Sequence, residues 1–411
     1  MDTVVFDGRK YAGEKEQILK ERVQGLREKG VVPKLVWISV GYAEQNLLYG
    51  RVKRRAAERL GIEFEKYQIH STSSGQVSNI KYQKYKEGNY ESPELQMSSG
   101  QVGIRNQDSK AKSEKRKAKS YNLKVKADEK SVVRIQNSEW LVRQVIKKIK
   151  EANEDPQVHG VMVQLPVQLS VVSYQLSVKK TKNDDRRLMA DIEDRNFEDR
   201  KYLVRILGAI VPKKDVDCLT PENLGRAMMG FAKQNLSPRF LPATVKAVAD
   251  ILAQALDLDS VNPSQPPLVK GRGISPPGKG GDRRGLMNFD KVKGKRIVVV
   301  GAGLEVGKPL VAYLSNLGAT VLWAKSGERN LSEIIRMGEV VISATGKPGL
   351  ITGEMVKDDV IAIDVGSPRG DFEFDSVSKR AAFITPVPGG VGPVTVSCLY
   401  ENLLMAAESV R

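Results

Sequence analysis

Apolar positions along the chain fall into short continuous runs separated by stretches with helical spacing. KLVWISVG (Lys34–Gly41) is a run short enough for a strand buried on both faces, and VHGVMVQLPV (Val158–Val167) is a second, stopped by Pro166. Between and after them the spacing predicts helices over Glu14–Lys29, Gln45–Leu60, Pro221–Phe231 and Ala243–Ala255, with Gly61 as a C-terminal cap. Beyond Gly294 the alternation tightens. KRIVVVGAG reads as a strand running into a glycine turn, GKPLVAYLSNLG as a helix, and ATVLWA, EVVISATG, VIAIDVG and AAFITP as four more strands. Strands alternating with helices predict an α/β protein on a parallel, doubly wound sheet.

Three segments break this rhythm: 71–134, 170–201 and 261–286. The first repeats SSGQV at Ser73–Val77 and Ser98–Val102 and contains KAKSEKRKAKS. It carries 14 Lys/Arg against 7 Asp/Glu, so much of the chain's net charge of +17 sits in interruptions and not on a periodic face. We expect all three to loop out as mobile, low-complexity insertions. A basic chain invites a nucleic-acid reading, but few aromatic residues interleave these charges, and a solvated loop accounts for them.

The 411 residues suffice for two domains, and 40% hydrophobic content suffices for their cores. No run approaches a membrane span, and the opening MDTVVFDGRKYAGEKEQ lacks the apolar core of a signal peptide. Cys218 and Cys398 lie far apart and form no CxxC, and only His70 and His159 accompany them. This argues against a zinc or disulfide framework and for a reduced, cytoplasmic protein without a metal.

Chemistry concentrates in five places. Tyr49 and Lys53, four apart, share one helix face; Tyr offers a ring for stacking and Lys an amine whose proton affinity falls on desolvation. Such pairs are common on helices and carry no assignment alone. Gln164 ends an apolar strand, where its amide needs partners. Asp217 lies in KDVDCLTPENLG, a loop whose carboxylates often simply bond turns. Gly301-Ala302-Gly303-Leu304-Glu305-Val306-Gly307 follows a strand and opens a helix, the place where backbone approaches a pyrophosphate; tight strand–helix packing is the competing account. Last, ITPVPGGVGPVT (Ile384–Thr395) holds six Gly or Pro among twelve residues, which suits either a tight turn or a backbone that must lie against a flat ligand.

Taken in order, Y-x-x-x-K, VQLP, KDVD, the strand–GxGxxVGKP turn and TPVPGGVGPVT resemble the bifunctional methylenetetrahydrofolate dehydrogenase/cyclohydrolase family. The likeness begins near Val5, runs through YGRVKRRAAERLGI, DPQVHGVMVQLPV and FLPATVKAVADIL, and is unbroken from Gly294 to Glu408, leaving only the interruptions outside it. It implies a folate-binding catalytic domain over residues 1–240, joined by a C-terminal helix 396–411, and a Rossmann-like domain over 241–395, with the active site in the cleft between them. It implies Lys53 as catalytic lysine, Gln164 as its hydrogen-bonding partner, Asp217 on the pterin edge and Tyr49 on the aminobenzoate ring. Pro388, Gly389 and Gly390 would line the substrate, and Gly301, Ala302, Gly303, Gly307, Lys325 and Ser326 the dinucleotide. The implied cofactor is NADP, with NAD possible, and the implied assembly is a homodimer acting on tetrahydrofolate derivatives.

The chain also departs from that pattern. The family's Gly-Arg-Ser is Gly301-Ala302-Gly303 here, which removes an arginine for a 2′-phosphate; Lys325, in Lys325-Ser326-Gly327-Glu328, could pair with that group instead. Glu305 stands in place of an apolar residue and brings negative charge toward a phosphate site. Pro242-Ala243-Thr244-Val245, Asn46 and Cys218 also differ from the family's residues. These changes bear on cofactor affinity more than on the folate site, and leave a cyclohydrolase-only enzyme as an alternative.

Overall fold

The computed structural model describes residues 3–40, 44–69, 127–165, 167, 201–230, 240–258 and 289–409. Most of the three interruptions, with the expectation that they loop out, lies outside the described residues, as does Pro166.

Two parallel sheets organise the chain. The smaller holds β2 (Lys34–Val40) between β3 (Glu63–Ile69) and β4 (Gly160–Gln164). The larger has the order β1-β9-β8-β7-β5-β6, from β5 (Arg296–Val300), β6 (Thr320–Ala324), β7 (Val340–Ser343), β8 (Val360–Asp364) and β9 (Ala381–Ile384), with β1 (Val4–Val5) at its edge. All pairings are parallel, as the alternation predicts. β5 lies between β6 and β7, so the order in which strands are added reverses there and opens a crevice at the strands' carboxyl ends.

Strand periodicity explains the layering. Leu35 and Trp37 of β2 face one core, while Val36, Ile38 and Val40 face another. In β5, Ile297 and Val299 join the same core as Leu35, and Val298 and Val300 face the opposite side of their sheet. Both faces are buried, so both strands read as continuous apolar runs. The shared middle core is filled by three long helices, Gly8–Glu28, Ala243–Leu258 and Val391–Glu408, which pack together between the sheets.

Several boundaries move. The first helix begins at Gly8, six residues before Glu14, because Asp7 accepts from Arg9 N and Lys10 N at 3.0 Å each. A helix spans Ala127–Glu154 and so enters the stretch expected to be low-complexity; Leu141, Val145, Ile149 and Ala152 form its buried stripe. The last helix begins at Val391, inside the Gly/Pro segment, with Pro393 in its first turn, where a missing N–H costs nothing. β3, EFEKYQI, went unpredicted because its charged residues mask a half-buried edge strand.

Candidate active site

Lys53 sits on the helix Glu44–Leu60 with its side chain almost wholly buried, and its Nζ donates to Gln164 Oε1 at 2.9 Å. Trp37 Nε1, a group that can only donate, reaches the same oxygen at 3.3 Å, which fixes the amide's orientation; Gln164 Nε2 donates to Leu165 O at 2.9 Å. Gly50 makes this arrangement possible. A Cβ there would lie 2.8 Å from Trp37 Cη2, so only glycine lets the helix settle onto the indole. From the opposite side, Tyr400 OH donates to Lys53 O at 2.6 Å, and Asn402 Nδ2 donates to Val216 O and Leu241 O at 2.9 Å each.

Asp217 is presented by a loop that Asp215 organises. Asp215 pairs with Val161 at the flank of β4 and accepts from Leu219 N at 3.1 Å, Thr220 N at 2.8 Å and Asn223 Nδ2 at 3.0 Å. Burial raises the Asp217 carboxyl to about 6, with Lys53 opposing and Asp215 adding to the rise. Burial likewise pulls Lys53 below the ordinary lysine range, while Asp217 and then Glu305 oppose it. Lys53, Gln164 and Asp217 are thus brought together from three separate stretches of chain.

The remaining residues divide. Tyr49 lies on the same helix as Lys53, and its hydroxyl contacts Ser367 Oγ in the loop after β8, across the cleft. That loop hangs on two buried acids. Asp364 accepts from Gly366 N, Asp371 N and Phe372 N, and Asp371 accepts from Ser343 Oγ at 2.8 Å and Thr345 N at 2.7 Å. Gly389 and Gly390, which follow Pro388, pack on the start of the first helix. A Cβ on Gly8 would fall 1.9 Å from Gly390 O, so it is the helix that must be bare at this contact; within the segment a Cβ on Gly390 would fall 2.6 Å from Pro386 O, and Gly389 has φ +112°, so both glycines are required by the local fold whatever else they serve.

In the glycine turn, Gly301 (φ +125°) lies against Ala344 at the end of β7, and Gly307 lies against Gly301, with Cβ clashes at 2.4 and 2.3 Å. Those two glycines are explained by packing. Gly303 is different: it is exposed, with open space where a side chain would be. Ala302 is half-buried beside it. Lys325 is exposed and Ser326 half-buried just beyond β6, next to this turn through the Val300–Ala324 register. The helix Gly307–Asn316 has no side chain capping its N-terminus. A bare turn, an uncapped helix start and an exposed cation fit a dinucleotide phosphate. Trp37, Tyr400, Asp215, Asp364 and Asp371 escaped sequence reasoning, because their roles are contacts between distant segments; only burial of polar side chains in a strand or loop could have hinted at them.

Comparison with known proteins matches both halves of this architecture. Residues 6–88 match the tetrahydrofolate dehydrogenase/cyclohydrolase catalytic domain, and residues 286–411 match the NAD(P)-binding domain of the same enzymes. The chain belongs to the tetrahydrofolate dehydrogenase/cyclohydrolase family. It is 28% identical over 409 residues to the bifunctional protein FolD of Lactobacillus acidophilus, covering 97% of this chain and 95% of that one. It is 27% identical over 415 residues to FolD of Moorella thermoacetica, covering 99% and 100%. Among solved structures it is similar to the Trypanosoma brucei methylenetetrahydrofolate dehydrogenase-cyclohydrolase complexed with NADP and an inhibitor, at TM-score 0.63 and 26% identity over 100% of this chain and 99% of that one. It shares the fold of the NAD-dependent 5,10-methylenetetrahydrofolate dehydrogenase of Saccharomyces cerevisiae at TM-score 0.58 and 16% identity, over 100% and 98% of the two chains. Among the described residues no helix is long and apolar enough to cross a membrane.

Proposed function

We propose that the protein oxidises 5,10-methylenetetrahydrofolate to the 5,10-methenyl form with NADP, and then hydrolyses that cation to 10-formyltetrahydrofolate. The observation that carries this reading is the buried Lys53–Gln164 pair, 2.9 Å apart, with Asp217 as its charged neighbour. Bound NADP supplies the hydride acceptor, and Gly301, Ala302, Gly303, Gly307, Lys325 and Ser326 are the residues that would hold it. Everything else is done by the chain itself. Asp217 anchors the pterin's amino-pyrimidine edge through charge-assisted hydrogen bonds, and Tyr49 stacks on the aminobenzoate ring. Pro388, Gly389 and Gly390 line the substrate with bare backbone.

In the second step water adds to the one-carbon centre and loses a proton to leave a neutral hydroxyl adduct; the bond from that carbon to N5 then breaks as the hydroxyl gives up its proton and becomes the formyl C=O, and N5 gains a proton, for a net release of one proton. Lys53 handles these transfers. Gln164 Oε1 can accept from the amine in either protonation state, so it keeps the nitrogen aimed while its charge changes. Burial lowers the proton affinity of the amine, which favours its service as the base. We assign residues 1–240 with the last helix to the folate side and 241–395 to the dinucleotide side, and we place the enzyme in the cytoplasm as a homodimer.

Spectrophotometric assays of the two steps, with NADP and NAD in parallel, test the reading. We expect both activities and faster oxidation with NADP. A folded protein that neither oxidises the methylene form nor hydrolyses the methenyl form defeats it; hydrolysis without oxidation restricts it to a cyclohydrolase.

A further inference from the structure

Trp323 is a large side chain that the fold leaves 47% exposed, on β6 at one edge of the larger sheet. Burial in a core does not account for it, but its one polar atom does. Trp323 Nε1 donates to Gly301 O at 2.7 Å, and Gly301 N donates to Ala324 O at 2.9 Å. The first residue of the glycine turn, one beyond the end of β5, is therefore gripped by β6 through both of its backbone groups.

The ladder explains where the indole goes. Trp323 is in register with Val299, and Val321 packs on the same middle core as Val299, so the ring leaves β6 on that face. The helix Gly307–Asn316 lies there too, through Leu310 and Leu314. Gly301 O is wedged against its first residue, since a Cβ on Gly307 would come within 2.3 Å of that oxygen. Gly301 is buried, and among the described residues the indole is the one donor its carbonyl meets. A buried carbonyl without a partner is costly, and a glycine can turn its peptide outward to find water.

We infer that Trp323 is a positioning residue for the dinucleotide: it holds the Gly301 carbonyl inside and so sets the face that the bare turn shows to a diphosphate. The inference rests on the assignment of this turn to NADP above. It matters in this chain because Ala302 and Gly303 offer a phosphate no polar side chain, which leaves recognition at the turn to backbone N–H groups. A trans peptide points its N–H opposite to its C=O, so fixing Gly301 O also fixes Ala302 N–H. A second anchor follows at once, since Lys308 N donates to Gly303 O at 3.1 Å. Held at both points, the turn has its shape before a ligand arrives, and less ordering has to accompany binding. Without the indole N–H, an outward carbonyl would present the negative end of its dipole to a phosphate.

Trp323→Phe in the full chain tests this, because it keeps an aromatic ring and removes the N–H. Isothermal titration with NADP and with NAD, which share the diphosphate, reads the effect without catalysis. We expect both dissociation constants to rise by the same factor, about two- to tenfold, the worth of one neutral hydrogen bond. Hydrogen exchange of the free protein should show faster exchange at residues 302–306 in the variant. A merely structural role would lower the melting temperature and leave both constants in place. Unchanged constants overturn the inference, whatever becomes of the two catalytic steps. A rise confined to NADP overturns it as well, since the ring would then act at the 2′-phosphate. Weaker binding by the variant of a parent that catalyses neither step upholds the inference and sinks the functional reading. A parent that binds neither dinucleotide sinks the NADP assignment, and this inference with it.

Discussion

Lys53 illustrates how one residue can be worth keeping for chemistry at a cost to stability. Burial lowers its proton affinity in the folded chain. The unfolded chain therefore binds more protons over the window that ends at the ordinary value of 10.5, and stability rises with pH across that window. We expect Lys53→Met to lose hydrolysis by roughly 10²–10⁴-fold while its melting temperature at neutral pH does not fall and its stability varies less on the alkaline side. A clear drop in melting temperature would show that the amine is a net stabiliser. Cys218 shows strain of another kind. It follows Asp217 at φ +58°, where the resembled family has glycine, and its buried thiol donates to Phe240 O at 3.3 Å. Comparing Cys218→Gly with Cys218→Ala separates backbone strain from lost packing, since both remove the sulfur. The glycine variant should be more stable by about 1 kcal/mol in denaturant titration; equal stabilities would mean the loop relaxes around a side chain at no cost. Sequence reasoning named Lys53, Gln164 and Asp217, because each belongs to a local motif. It could not name Trp37 or Tyr400, since nothing near either residue reveals that Gln164 or the Lys53 carbonyl will be its partner.

At the level of elements, the helix Glu44–Leu60 positions Tyr49 and Lys53 together, and its seat is Gly50 on Trp37. Gly50→Ala improves intrinsic helix propensity by up to about 1 kcal/mol, yet places a methyl 2.8 Å from the indole. The clash should prevail, because the helix is held by Tyr400 from the other side and cannot retreat freely. We expect a net loss of about 1–3 kcal/mol and a fall in kcat for hydrolysis, because the Lys53–Gln164 geometry loosens. A more stable Gly50→Ala variant with unchanged kcat would refute this account. Sequence legibility at this scale followed burial. β2 and β5 are buried on both faces and announce themselves as apolar runs, whereas β3 is an edge strand whose Glu63, Glu65 and Lys66 interrupt any alternation. The start of the last helix was hidden because Gly392 and Pro393 are turn signals whose meaning depends on Val391 already being helical. Likewise the bare Pro388–Gly390 segment suggested a ligand, while its packing on Gly8 becomes visible only in three dimensions.

The whole molecule is joined by the three helices between its sheets, and a charged cluster sits at their meeting point. Lys15 on the first helix contacts Asp250 on the second and Glu401 on the third at 2.7 Å each, and Lys246 contacts Glu401 at 2.9 Å. Burial alone would raise the Glu401 carboxyl, but Lys246 and Lys15 outweigh it and hold it at about 2. Glu401 therefore contributes stability that is present above its ordinary 4.5 and is lost as pH falls from there toward 2. Since Lys15 is almost wholly buried, Lys15→Met leaves Asp250 without its cation and Glu401 with only Lys246. Breaking a buried pair from one side typically costs about 3–5 kcal/mol. That loss should be felt by both sheets together, because the helices belong to the core they share. In native-state hydrogen exchange, amides of β2 and β8 should lose protection in parallel in Lys15→Met, and the acid limb of its stability curve should be shallower than the parent's. Loss confined to one sheet would mean that the two units fold independently and that the cluster serves only its nearest neighbours; an unchanged curve would mean that the pairing barely offsets its own desolvation.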